Sequence, residues 1–157
     1  IARVLYGCLP DMRLDVTPHI DINRVVESAI SEIEPDTVFT HFWGDVNVDH
    51  QHVYHSVLVA ARPTFGQFVK ELYCFSVPSS TEWTPGLPHA VFMPNVFVDI
   101  GGFSEQKYAA MEAYATELRT YPHPRSIEYL RQTDVAEGLK VGLPIAESLM
   151  LLRRITD

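Results

Sequence analysis

An α/β fold with a mostly parallel sheet is the fold class that this sequence predicts. Short apolar runs typical of buried strands alternate along the chain with longer segments whose apolar residues recur at helical spacing. The clearest example is residues 21–34, where six apolar residues share one helix face, followed at once by an apolar run at residues 37–41. This alternation is typical of a sheet covered by helices rather than of a helical bundle.

The predicted helices are separated by strong helix breakers. Pro35 ends the first helix, and Pro63 ends a second one at residues 49–62, for which Asp49 is a plausible N-cap. The pair of prolines at Pro122 and Pro124 separates two further helices, at residues 104–119 and 125–137. Ser126 is the expected N-cap of the last of these.

The predicted strands are short, as expected in an α/β domain. They lie at residues 3–7, 37–41, 69–77 and 95–100, and the apolar tail at residues 146–155 is compatible with either a strand or a helix. Residues 3–7 lead directly into a long loop and are predicted to be an inner strand of a sheet whose earlier strands are missing. No repeat or linker interrupts the pattern, so residues 1–157 are predicted to form a single α/β domain.

Composition narrows the classes of function. A net charge of −8 over 157 residues argues against nucleic acid as the main partner. The sequence contains no run of 18 apolar residues, so it predicts no membrane span, and its first residues do not resemble a signal peptide. Two distant cysteines do not predict a disulfide framework, so a reducing, cytoplasmic location is expected.

Residues 40–55 carry the strongest chemical signal, because they contain four of the seven histidines. His50 is expected in the first turn of the second helix, facing the strand ends, where it could bind a divalent metal while a carboxylate orients its ring. The alternative is that Asp49 only caps the helix and that His50 is a solvated surface residue. His41 could line the same mouth, and Asp45 and Asn47 in the intervening loop could act as ligand, orienting group or hydrogen-bond donor.

Other histidines and polar clusters give weaker signals. His52 and His55 lie two and five residues beyond His50, so they are predicted to point away from it. Residues 122–126 place His123 and Arg125 at a helix start, which suits an anion pocket or only a helix break. Trp83 in the loop at residues 78–94 could stack on a sugar, or the loop could be only a surface connection. No GxSxG, P-loop or GxGxxG motif is present.

Several segments in order resemble the LmbE-like (PIG-L) N-deacetylases. The resemblance is carried by Asp49-His50 within residues 44–50 and by residues 10–15, 35–41, 77–83, 94–100, 107–114 and 122–126. It implies a Rossmann-like fold with helices on both faces of the sheet, a mononuclear zinc site, and removal of acetyl groups from N-acetylated amino sugars.

The resemblance also implies roles for individual residues. His50 matches the third zinc ligand, and Asp49 the acidic residue before it. Asn47 stands where many members have a histidine that stabilises the oxyanion; it can donate a hydrogen bond but cannot transfer a proton, and His41 or His123 could substitute. Arg125 could bind a phosphate or carboxylate of the substrate, and Trp83 could stack on its sugar.

One family motif is missing from these residues. The His-Pro-Asp-Asp segment that supplies the other two zinc ligands and the general base is absent, so the N-terminal strands of the family fold are expected to be missing. Three alternatives therefore stay open beside the deacetylase: an inactive sugar-binding module, a hydrolase acting on an amide that is not on a sugar, and a partial chain that is inactive alone. The sequence does not predict an oligomeric state.

Overall fold

Four helices and four strands form the fold within residues 1–156. The structure is a computed structural model, which describes residues 1–156. The helices are α1 (His19–Ile33), α2 (Val48–Ala60), α3 (Ser104–Glu112) and α4 (Ile127–Leu139), with a short 3-10 turn at Leu14–Val16. The strands are β1 (Thr37–Thr40), β2 (Glu71–Phe75), β3 (Val96–Asp99) and β4 (Ala146–Arg154). The predicted alternation of helices and strands is thus confirmed, and the apolar tail is a strand.

The sheet is mixed rather than mostly parallel. Its strand order is β1-β2-β4-β3, and only β1 and β2 run parallel, whereas β4 is antiparallel to both β2 and β3. The prediction of a mostly parallel sheet is therefore wrong for the described strands. It failed because the C-terminal strand inserts between β2 and β3, a long-range pairing that local patterns do not reveal. The Rossmann-like arrangement with helices on both faces stays a prediction.

The predicted strand at residues 3–7 is wrong. These residues form no regular secondary structure, and all five are exposed, including Val4 and Tyr6. An apolar run becomes a strand only where a neighbouring strand pairs with its backbone, and residues 3–7 have no such partner in the described sheet. The edges of this sheet are β1 and β3.

Local signals explain where the helices begin and end. The left-handed backbone of Glu34, with φ of 49°, ends α1 just before Pro35. As predicted, Ser126 caps α4, its hydroxyl accepting a hydrogen bond from the Tyr129 amide. The third helix is shorter than predicted: it ends at Glu112, and turns follow within residues 113–117.

Packing brings α1 against α2 and α4 against β4. Ile30, Ala61 and Val69 form a buried cluster under the first pair of helices. Between α4 and β4, Gly138 is needed because an added Cβ would lie 2.7 Å from the backbone of Ile145. No helix within residues 1–156 is long and apolar enough to cross a lipid bilayer.

Candidate functional site

A pair of stacked histidines lies where β1 ends and α2 begins. His41 directly follows the last residue of β1, and His50 occupies the first turn of α2. Their ring centroids are 4.2 Å apart with the planes inclined by 23°. The expectation that His50 faces the strand end beside His41 is confirmed. His55, by contrast, is exposed, and His52 contacts His19, so these two point away as predicted.

A fully buried carboxylate orients the ring of His50. The Asp45 side chain has 0% exposure, and its Oδ2 lies 2.8 Å from His50 Nδ1. The other carboxylate oxygen, Oδ1, accepts a hydrogen bond of 2.5 Å from the Thr81 hydroxyl. An Nδ1–H donated to a carboxylate places the free lone pair on Nε2, which is the arrangement found in histidines that bind metal ions.

The loop that carries Asp45 is held on several sides. The Gln51 side chain donates to the Asp45 carbonyl at 2.6 Å, and the Asp45 amide donates to the Phe42 carbonyl at 3.3 Å. Phe42 is completely buried, and the Thr84 hydroxyl bonds the Gly44 carbonyl. These contacts position the carboxylate before any ligand arrives, so the His50 ring needs little reorganisation to bind one.

Burial keeps the His41 ring neutral at physiological pH. The pKa of His41 is lowered from 6.5 to about 4, mainly by desolvation and also by repulsion from His50, and attraction by Asp45 partly opposes both effects. His41 Nδ1 is buried without a hydrogen-bond partner among the described residues. A neutral imidazole in this position can donate a hydrogen bond to developing negative charge.

Asn47 and Asp49 have other structural partners than predicted. The N-cap of α2 is Asn47, whose Oδ1 accepts from the Asp49 amide at 2.9 Å, so the prediction of Asp49 as N-cap is wrong. Asp49 Oδ1 instead accepts from the Leu14 amide at 3.0 Å. The carboxylate that contacts His50 is therefore Asp45, which lies in the loop and not beside His50 in sequence. Asn47 Nδ2 lies 3.8 Å from the sulfur of Met12.

The three residues predicted to bind substrate lie together. The rings of Trp83 and His123 meet edge to face with centroids 5.6 Å apart, and His123 Nδ1 accepts from the Arg125 amide at 3.0 Å. Trp83 is 54% exposed. Arg125 donates to Ser79 Oγ at 2.6 Å and pairs with Glu117, so its guanidinium is already partly neutralised.

The loop at residues 77–84 connects the histidine pair with this second cluster. Ser79 contacts Arg125, Ser80 Oγ lies 3.5 Å from His50 Nδ1, and Thr81 bonds Asp45. The Glu82 carboxylate accepts the amides of Ser79 and Ser80 and closes the loop. From the sequence this stretch was predicted to be either a wall on which a sugar stacks or only a surface connection. Its run of three hydroxyl residues was the available signal for a supporting role.

The described residues do not assemble a complete metal site. Structural and catalytic zinc sites need three or four protein ligands, and within residues 1–156 no group of three histidine, cysteine or acidic side chains comes together in this way. The Asp45–His50 pair fits the role of a single oriented ligand, because its donor and its supporting carboxylate have the required chemistry. Cys74 does not add a thiolate, since burial raises its pKa to about 12.

The fold is similar to that of three solved structures. The first is a conserved protein from Thermus thermophilus, with a TM-score of 0.69 and 20% sequence identity; the match covers 95% of this chain and 65% of that one. The second is the 4-carboxy-2-hydroxymuconate hydratase GalB from Pseudomonas putida, with a TM-score of 0.60 and 21% identity; the match covers 88% of this chain and 61% of that one. The third is an N,N'-diacetylchitobiose deacetylase from Pyrococcus horikoshii in complex with an inhibitor, with a TM-score of 0.59 and 15% identity; the match covers 96% of this chain and 55% of that one.

These likenesses show the fold. No family model matches the sequence, and no curated protein is detectably similar to it. This chain spans between about half and two thirds of the length of the three solved chains. It therefore has a mixed α/β fold like that of a deacetylase and of a hydratase.

Proposed function

We propose that this chain contributes one zinc ligand, His50, to an N-deacetylase that acts on N-acetylated amino sugars. The observation that carries the proposal is the buried Asp45 carboxylate, which holds His50 Nδ1 and leaves Nε2 for a metal ion. The fold likeness to a diacetylchitobiose deacetylase supports the choice of reaction. The choice of an amino sugar rests on the sequence resemblance described above.

The neighbouring residues suit the hydrolysis of an amide. Zinc would supply Lewis-acid polarisation of the acetyl carbonyl and acidification of water. Asp45 keeps the proton of His50 on Nδ1, so that the ring stays in the tautomer that binds metal. Neutral His41 and the Asn47 amide are the candidate donors to the negative oxygen that develops in the transition state. Asp49 would influence the site without contacting His50, because its carboxylate accepts a hydrogen bond from the Leu14 amide.

The second cluster would bind the sugar beside the reacting amide. The exposed ring of Trp83 would offer apolar surface to the sugar, and its edge-to-face contact with His123 would help to hold it in place. Arg125 would contact an acidic substituent only by sharing its guanidinium with Glu117. We therefore expect Trp83 to contribute more to sugar affinity than Arg125.

The first test compares two histidines of the same helix. His50→Ala removes the proposed ligand, and His55→Ala is the matched control because His55 is exposed on α2. Both variants are made in the complete enzyme to which this chain contributes His50, and zinc content by elemental analysis and amine release from N,N'-diacetylchitobiose and N-acetylglucosamine are measured for each. We expect the His50 variant to lose zinc and activity and the His55 variant to keep them. Equal zinc content in the two variants would refute the ligand assignment.

A sugar-binding module is the second candidate. It is favoured by Trp83, which is exposed although its ring is held by His123. A module of this kind would bind N-acetylglucosamine, quench tryptophan fluorescence and release no amine, and Trp83→Ala would abolish the quenching. Activity on N-acyl amino acids but not on N-acetylated sugars would instead indicate an amide hydrolase with another substrate.

A further inference from the structure

The hydroxyl group of Thr81 has two hydrogen-bond partners, which together fix the direction of its proton. Thr81 Oγ1 accepts from the backbone amide of Val77 at 2.8 Å and donates to Asp45 Oδ1 at 2.5 Å. A hydroxyl has one proton, whereas a backbone amide can only donate and an ionised carboxylate can only accept. The Thr81 proton is therefore directed at the carboxylate of Asp45.

Two side chains lie within hydrogen-bond distance of His50 Nδ1, and they favour different tautomers of the ring. Asp45 Oδ2 lies 2.8 Å from this nitrogen, and Ser80 Oγ lies 3.5 Å from it. A carboxylate can only accept, so it keeps the ring proton on Nδ1. The Ser80 hydroxyl can also donate, and a donor at Nδ1 places the ring proton on Nε2. The position of the Asp45 carboxylate therefore decides which tautomer His50 adopts.

The loop that carries Thr81 is held in one conformation by its neighbours. Ser79 has a left-handed backbone with φ of 67°, which is uncommon for a residue other than glycine, and it is buried. Arg125 Nε donates to Ser79 Oγ at 2.6 Å, and Glu82 Oε1 accepts from the Ser79 amide at 2.6 Å. Uncommon backbone conformations persist where the surrounding contacts impose them. The Thr81 hydroxyl is thus set in place by contacts that lie outside the histidine pair.

We infer that Thr81 is a positioning residue for His50, which holds the Asp45 carboxylate against Nδ1 and so keeps the Nε2 lone pair available. Without the hydroxyl, Oδ1 of a fully buried carboxylate would lose the donor that Thr81 supplies. Buried polar atoms are nearly always hydrogen-bonded, so the carboxylate would turn towards another donor. The Ser80 hydroxyl could then donate to Nδ1. The use of Nε2 for a metal ion rests on the proposed function, whereas the tautomer itself does not.

The tautomer of His50 is measured from the ¹⁵N chemical shifts of its ring. The metal-free protein is used at about pH 8, where an ordinary histidine is neutral, and His50→Ala identifies the signals. We expect the unmodified protein to carry the ring proton on Nδ1. Thr81→Val keeps the shape of the side chain without its hydroxyl and should move the ring towards the Nε2–H form. Thr81→Ser restores the hydroxyl and should restore the original shifts.

A second threonine of the same loop provides the matched control. The Thr84 hydroxyl donates to the Gly44 carbonyl, so Thr84→Val removes a loop hydroxyl without removing a donor to Asp45. We expect this variant to leave the His50 shifts unchanged. Circular dichroism and thermal unfolding confirm that each variant folds, and Thr81→Ala replaces Thr81→Val if the valine prevents folding.

Three results would overturn the inference. They are His50 shifts that stay unchanged in a folded variant without the Thr81 hydroxyl, equal shifts in Thr81→Val and Thr81→Ser, and a ring proton already on Nε2 in the unmodified protein. No metal ion takes part in these measurements. Their failure would therefore leave the zinc test of His50 against His55 open, and failure of that test would leave the role of Thr81 in place.

Discussion

Replacement of Asp45 by asparagine tests how far the buried carboxylate determines the chemistry of His50. The Asp45 side chain is fully buried and makes two hydrogen bonds, of 2.8 Å to His50 and 2.5 Å from Thr81. A bond to a charged group contributes about 1.5–3 kcal/mol, and a neutral one about 0.5–1.5 kcal/mol. Losing the charge at two such bonds, while relieving the cost of burying it, gives an expected destabilisation of about 1–2 kcal/mol.

The effect of Asp45→Asn on metal binding should be more specific than its effect on stability. The amide group of the new side chain, facing His50, would donate to Nδ1 and place the ring proton on Nε2, the atom that must bind the ion. Loss of an orienting partner of this kind typically costs about 10- to 100-fold in metal affinity. Chelator competition measures the zinc affinity of the complete enzyme to which this chain contributes His50, and urea unfolding measures stability. Asp15→Asn is the control, since Asp15 is exposed in the Leu14–Val16 turn. Equal zinc affinity and equal stability in the two variants would refute the reasoning.

Two further predictions concern stability. Burial lowers the pKa of His41 to about 4 from 6.5, so the unfolded chain binds a proton between these values that the folded chain does not. The contribution of His41 to the free energy of unfolding is therefore most favourable above about pH 6.5. As the pH falls towards 4, protonation of the unfolded chain lowers the free energy of unfolding by about 2–3 kcal/mol, a value already reduced for solvent screening. His41→Asn should flatten urea-unfolding stability measured across this range, and equal pH slopes would contradict this. Gly138→Ala would place a Cβ 2.7 Å from the backbone of Ile145, at an expected cost of about 2–3 kcal/mol in thermal unfolding, whereas Gly102→Ala enters open space and should be neutral. Equal melting temperatures for the two glycine variants would show that α4 can move away from β4.

The helices were predictable because their signals are local. The spacing of apolar residues in α1, the proline that follows it and the serine that caps α4 act within a few residues, and the observed bounds agree with them. The same signals failed for residues 3–7, where an apolar run has no neighbouring strand with which to pair. They also left open whether residues 146–155 form a strand or a helix, and they could not show that this strand pairs antiparallel with its neighbours, because a strand has no local property that determines its partners.

In the candidate site, too, the features set by neighbouring residues were predictable and those set by distant residues were not. His41 and His50 were expected at one mouth, since the carboxyl end of a strand and the start of the following helix lie close together. The residues left the orienting carboxylate open, with Asp45 as one candidate, whereas the family resemblance implied Asp49, which adjoins His50. The structure brings Asp45 to the ring instead, since Asp49 on the first turn of α2 faces the Leu14 amide. Thr81 contacts this pair only because the loop after β2 folds back over it.

The amino-acid sequence by itself determined the alternation of helices and strands and the position of His50, because apolar periodicity and helix breakers act over a few residues. The sequence also contains, in order along the chain, several segments that resemble those of the LmbE-like N-deacetylases. The tertiary structure decided the antiparallel insertion of β4, the contacts of Asp45 with His50 and Thr81, and the contact of Ser79 with Arg125. Asp45 and Thr81 are 36 positions apart in the chain, and Ser79 and Arg125 are 46 positions apart. Such contacts form only when the whole sheet and its loops pack together.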